Sequence, residues 1–218
     1  MSALSEIKKL LSHRGFKRYF ANTGWLVLGR GAALILSFFV ATYVARYLGP
    51  TNYGTLSYAV GFVGLFSFLA NLGIDQIIYR ELIKDPEKQD VVLGSSLGLK
   101  LGAGFLAFVL ASVTSLFIDK SAFVTSLVFI ISLSFIFQPF HIVNFYFQSQ
   151  VRAKKTIIVQ LIVASILAIT KVILALHGFG IYYFSAIFVL EALLYAIFYM
   201  SLYRRGASVT AWRFSKKT

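Results

Sequence analysis

Four ionisable side chains interrupt long apolar runs in this chain: Arg30, Lys100, Lys171 and Glu191. A charge near the centre of a bilayer costs about 2.5–3.5 kcal/mol on insertion scales, so such residues normally face a bundle interior or a wet cavity. Three are cationic and one is acidic, a balance that suits an anionic ligand better than a cationic one. Arg30 lies roughly 10 Å past the start of its run, and Lys171 roughly 7–8 Å from the end of its run. Both have stems long enough to snorkel to an interface, so each reads as a snorkelling cation or a cavity cation. Lys100 is roughly 13–14 Å deep, near the midplane, and favours a cavity-facing role. Glu191 has a short reach and sits near the middle of its run. It reads as a partner of Lys171, as a neutral protonated carboxyl, or as a proton or cation relay.

Two further residues belong with these. Asp75 and Arg80 fall at one end of an apolar run, where Asp75 reads as a solvated helix-end pair with Arg80 or as an ion-coupling group. Pro139 interrupts another run beside Gln138, His141 and Asn144. A kink there frees backbone groups that those side chains can satisfy, and it offers a hinge.

The stretch "LGSSLGLKLGAG", Leu93 to Gly104, tests a competing chemistry. A glycine-rich run with a lysine suggests a phosphate-cradling loop, but Leu101 follows Lys100 where that loop needs Ser or Thr. The run continues as apolar helix. At about 100° per residue, Gly98 and Gly102 lie nearly opposite Lys100. Gly94, Gly98 and Gly102 are therefore expected to seat the helix against a neighbour. Ser96, Ala103, Gly104, Ala107 and Ala111 share the lysine's face and leave room there for a wet groove.

The elements that carry these residues follow from composition. The 218 residues are 58% hydrophobic, 17% aromatic and 13% charged, against about 25% charged in a soluble domain. The expected fold is all-α: a polytopic membrane protein with a six-helix transmembrane bundle. Its spans are placed at Thr23–Leu48, Leu56–Leu72, Val91–Phe117, Ala122–Phe147, Thr156–Leu176 and Ile181–Tyr203, each near the ~20 residues a bilayer requires. The second helix is expected to continue through "GIDQIIYREL". Residues 1–22 form a basic arm whose Leu4, Ile7, Leu10 and Leu11 share one helical face, suited to lying on a membrane surface. Residues 204–218 form a basic tail.

The net charge of +13 is explained by where the basic residues fall. They cluster in the arm, in the loops after spans two and four, and in the tail; the other side has only Arg46 and Lys120. The positive-inside rule then puts both termini in the cytoplasm, in a cell membrane, and removes support for a nucleic-acid partner. Anionic lipid headgroups remain suited contacts. There is no cysteine, and His13, His141 and His177 show no metal-ligand spacing, so no metal and no cofactor is expected.

A family resemblance rests on particular stretches. "ARYLGPTNYG", Ala45 to Gly54, resembles the outer turn between helices one and two of polysaccharide-export flippases. These are the O-antigen and oligosaccharide-lipid members of the multidrug/oligosaccharidyl-lipid/polysaccharide exporter superfamily. "NLGIDQIIYREL" is similar to the inner end of their helix two, "FQSQVRAKK" to their turn between helices four and five, and "AWRFSKKT" to their linker before helix seven. The resemblance implies a transporter rather than an enzyme. It would flip polyprenyl-diphosphate-linked oligosaccharide through a cationic lumen, to which Arg30, Lys100 and Lys171 could contribute. Such relatives have two six-helix halves and rock one against the other. This chain resembles the first, so a second six-helix half or a homodimer is the expected partner. A cation or drug exporter of the same superfamily is one alternative. A non-transport subunit that meets glycosyltransferases or polymerases is another.

Overall fold

The computed structural model describes residues 14–71, 73–118, 121–150 and 153–204. Most of the expected basic arm and nearly all of the basic tail fall outside them. Every regular element among the described residues is helical. They are α1 (Arg14–Asn71), α2 (Asp75–Lys84), α3 (Gln89–Ile118), α4 (Ala122–Ser132), α5 (Ile142–Ser149), α6 (Ala153–Leu176) and α7 (Ile181–Arg204). Short 3-10 turns at Pro86–Lys88, Leu133–Ile136 and Gln138–His141 join some of them.

The 58 residues of α1 would measure roughly 87 Å if straight, about three times the hydrocarbon thickness. They are not one span. Gly49 takes φ 72°, ψ 169°, a conformation that breaks the helix, and Pro50 restarts it. Glycine reaches positive φ without steric cost, and proline fits a first helical position because its missing N–H is not needed there. α1 is therefore two arms joined at the expected turn. The second arm is interrupted at Gly73 and then resumes as α2, so the expected continuation through "GIDQIIYREL" is present but broken.

Four helices are long and apolar enough to cross a membrane, or five if a bent pair counts as one span. Dividing the first at Gly49 brings the apolar segments to the expected six. The bent pair is the fourth span. It runs as α4, the two 3-10 turns and α5, with a 42° bend between its halves. The interruption expected at Pro139 within Ala122–Phe147 is present: Pro139, at the start of the second 3-10 turn, cannot donate the backbone bond that an α-helix needs there. The end of α6 is also set by local chemistry. The Phe179 and Gly178 amides donate to the Leu174 and Ala175 carbonyls, and Gly178 sits at φ 76°. This is the glycine-terminated helix end in which two orphan carbonyls are satisfied.

α1 packs along α6 and α3, α7 along α6 and α4, and α2 against α5. Leu93, Leu127, Val128, Ile142 and Val163 are fully buried between helices, while Leu28, Phe38, Phe39, Leu65, Phe105 and Phe117 point outward. In water an apolar surface of that extent would drive aggregation; in lipid it is solvated. The chain is a multi-pass membrane protein.

Side-chain contacts identify two ends. At one, the Tyr47 hydroxyl donates to the Phe179 carbonyl at 3.0 Å, and Phe123 meets Tyr182 edge-on at 5.3 Å. At the other, the Lys154 ammonium lies 4.8 Å from the Trp25 ring centre, and the Tyr203 hydroxyl donates to Asp90 at 3.3 Å. The loops richest in Lys and Arg belong to this second, basic end.

Candidate functional site

Residues Glu191, Tyr195 and Tyr199 repeat at i, i+4 and i+8 on α7, so they share one face of the helix. Glu191 and Tyr195 line two cavities, one on either side of them. Tyr195 and Tyr199 are stacked, with ring centres 5.6 Å apart and planes within 19°. Tyr199 is fully buried behind them.

The first cavity, about 390 Å³, lies among α2, α3, the bent fourth span and α7. Its charge is settled internally. The Lys100 ammonium donates to an Asp75 carboxylate oxygen, although the two residues are 25 positions apart. Lys100 is 2% exposed. A lysine so buried needs a paired charge, because the cost of desolvating an isolated ammonium is several kcal/mol. Phe145 adds a ring face 5.7 Å from the same ammonium, a distance at which the ring quadrupole still attracts a cation. Opposite lie Ser134, Gln138, His141 and Asn144. The His141 ring is held edge-on by Tyr195 at 4.7 Å and Tyr199 at 5.5 Å. The Asn144 Oδ1 is a buried acceptor with no hydrogen-bond partner among the described residues.

The second cavity, about 340 Å³, lies between the first arm of α1, α6 and α7. Arg30 and Lys171 line it together with Glu191. Its remaining wall mixes small or polar residues, such as Ser37, Ala164 and Gln160, with larger apolar ones, Leu34, Leu36, Val40 and Leu167. No ion pair closer than 4.0 Å joins Glu191 to Lys171, although both line this cavity. The Gln160 amide donates to the Tyr199 hydroxyl at 3.3 Å, which ties the wall of this cavity to the tyrosine behind the shared face.

The heights of these groups follow from helix register. Gly29 packs on Ile157, against which a side chain at that glycine would collide. Arg30 therefore lies level with the start of α6, while Lys171 lies roughly 20 Å further along. α7 runs the other way and places Glu191 roughly 18 Å from Tyr203 at the basic end. The carboxylate consequently stands between the two cations along the groove.

Several expectations are thereby corrected or refined. The sequence brings Arg30, Lys100 and Lys171 together as one set; the structure places Arg30 and Lys171 in one cavity and Lys100 in the other. Asp75 pairs with Lys100, not with Arg80, whose nearest acid is Glu81 at 3.5 Å. A direct Glu191–Lys171 pair is absent. The glycine ridge is inverted: Gly98 and Gly102 are exposed, and a side chain at Gly102 would meet nothing within 4 Å. The small residues beside Lys100 do the packing instead. Ser96, Ala103, Gly104, Ala107 and Ala111 are buried, and a methyl group at Gly104 would strike the Phe135 backbone carbonyl. The cavity borders Lys100, and the fourth span and α7 provide its other walls.

Tyr195, Tyr199 and Gln160 are site residues that the sequence reading did not single out. The spacing of "EALLYAIFY" carries the signal for the tyrosines, since it puts them one and two turns from an intramembrane glutamate. Nothing comparable marks Gln160.

The six apolar segments, the broken fourth span and the buried charges make a multi-pass helical membrane bundle. The family model for polysaccharide biosynthesis proteins matches residues 19–218. The chain belongs to that family. Comparison with curated proteins found no match, and comparison with solved structures found none.

Proposed function

We propose that the chain takes part in moving a polyprenyl-diphosphate-linked oligosaccharide across the membrane, as one six-helix half of a flippase rather than as an enzyme. The observation that carries this reading is the pair of cations, Arg30 and Lys171, lining one cavity between facing helices. A diphosphate cannot cross hydrocarbon unaided, whereas a polyprenyl tail remains in lipid. Two cations at different depths give the charged group successive resting points. Lys100 joins the same lumen only when its bond to Asp75 opens. Pro139 and the 42° bend make the fourth span the hinge of this half. The family match supports a role in polysaccharide assembly.

In this reading both termini are cytoplasmic, because the basic end is the inner one. A second six-helix half, or a second copy of the chain, supplies the opposing wall needed for alternating access. Glycosyltransferases or polymerases are suited neighbours for such a complex. A cationic-drug exporter fits less well, because the Arg30 cavity holds two cations against one carboxylate.

The test is reconstitution in vesicles with a fluorescent diphosphate lipid, with and without an opposing half. Translocation is expected when both halves are present and is expected to fall at least 10-fold in an Arg30→Gln, Lys171→Gln double variant. Equal translocation in the variant and the wild type would remove the basis of the proposal.

A further inference from the structure

We propose that Glu191 is a built-in competitor of the anion that the Arg30–Lys171 groove takes. It keeps either cation from holding that anion too tightly. The inference rests on the anion-groove reading above and adds the role of the one acidic residue in it.

Position carries the argument. Arg30 and Lys171 face the same cavity roughly 20 Å apart along the bundle, and Glu191 lines that cavity at an intermediate height. An anion moving from one cation to the other must pass a like charge. With the groove empty, an ionised carboxylate offsets part of the field of Lys171, which lines the same cavity. With the groove filled, carboxylate and ligand contend for the same cation. Two like charges sharing a site destabilise each other.

The carboxylate also has somewhere to go. Glu191 lines the neighbouring cavity as well, where Ser134, Gln138 and His141 present polar atoms. On that side Lys100 is already matched by Asp75, so no free cation there captures Glu191 permanently. Asp75 itself is a like charge that favours its return. Tyr195, one turn along α7, borders both cavities as Glu191 does. The arrangement balances attraction along the groove: two cations bind, and one displaceable carboxylate limits how long the ligand stays.

The experiment is titration of inorganic pyrophosphate into the full chain in lipid nanodiscs, by calorimetry at fixed pH and salt. Glu191→Gln is expected to bind pyrophosphate at least 10-fold more tightly than wild type. Glu191→Ala is expected to move in the same direction, which guards against a folding defect in either variant. Glu191→Asp keeps the charge and is expected to stay within about 3-fold of wild type, since a carboxylate on the same face still contends for Lys171. Lys171→Gln and Arg30→Gln are expected to weaken binding. If those two weaken it while both neutral Glu191 variants bind no more tightly than wild type, Glu191 is not a competitor and the groove reading survives. If no variant and no wild-type sample binds pyrophosphate, both are overturned.

Discussion

The two cavities on either side of Glu191 solve the problem of intramembrane charge in opposite ways. In one, a cation is buried to 2% exposure and bonded to its own carboxylate. In the other, two cations line open space and the nearest carboxylate stands off from them. The first arrangement spends its charge on holding α2 against α3. The second leaves charge available to a ligand. A buried lysine is thus a weak guide to function by itself; whether its counter-charge comes from the protein decides what it can do.

The sharpest way to break this contrast is Asp75→Ala. It leaves the Lys100 ammonium buried without a partner, and stability is expected to fall by about 3 kcal/mol, read as thermal unfolding in detergent. Replacing both partners, Asp75→Leu with Lys100→Met, is expected to recover most of that loss, because an apolar pair needs no compensation. If the double variant is as unstable as the single one, the pair does not act as a unit. Next in size is Gly104→Ala, expected to cost about 2 kcal/mol by forcing α3 away from the Phe135 carbonyl. The same unfolding measurement checks it.

On the other side of Glu191, Arg30→Gln is expected to change stability by less than about 0.5 kcal/mol, since Arg30 is exposed and exposed charges contribute little. Its pyrophosphate affinity is nonetheless expected to drop about 10-fold, or about 1.4 kcal/mol. An Arg30 variant that unfolded as readily as Asp75→Ala would erase the distinction between the cavities. The smallest effect is expected at Gly102→Ala. A methyl group there meets no neighbour, and the change in melting temperature should be close to zero or slightly upward from helix propensity.

Much of the architecture was legible because membrane spans are written in single long apolar runs. The third, fifth and sixth spans agree with α3, α6 and α7 to within a few residues. Gly49-Pro50 announced its turn, and Pro139 announced a broken helix. What failed was pairing across distance. Asp75 stands five residues from Arg80, so local spacing suggested that pair, while the true partner lies 25 residues on. The division of Arg30 and Lys171 from Lys100 was equally hidden, since depth along a helix says nothing about which side of a neighbouring helix a residue meets. The glycines of α3 show a third limit. Gly102 and Gly104 are chemically identical, and only at Gly104 does the Phe135 carbonyl leave no room for a methyl group.

The contact between Tyr47 and the loop after α6 bears on how the Arg30–Lys171 cavity opens. That cavity is bounded by α1, α6 and α7. The same three elements are fastened at their far end by the Tyr47 hydroxyl on the Phe179 carbonyl and by the Tyr47 ring lying 5.8 Å from Phe184. One neutral hydrogen bond and one ring contact together amount to about 2 kcal/mol. A clasp of that strength is undone in roughly 3% of molecules at any moment. That end of the groove is therefore latched by thermal odds rather than sealed.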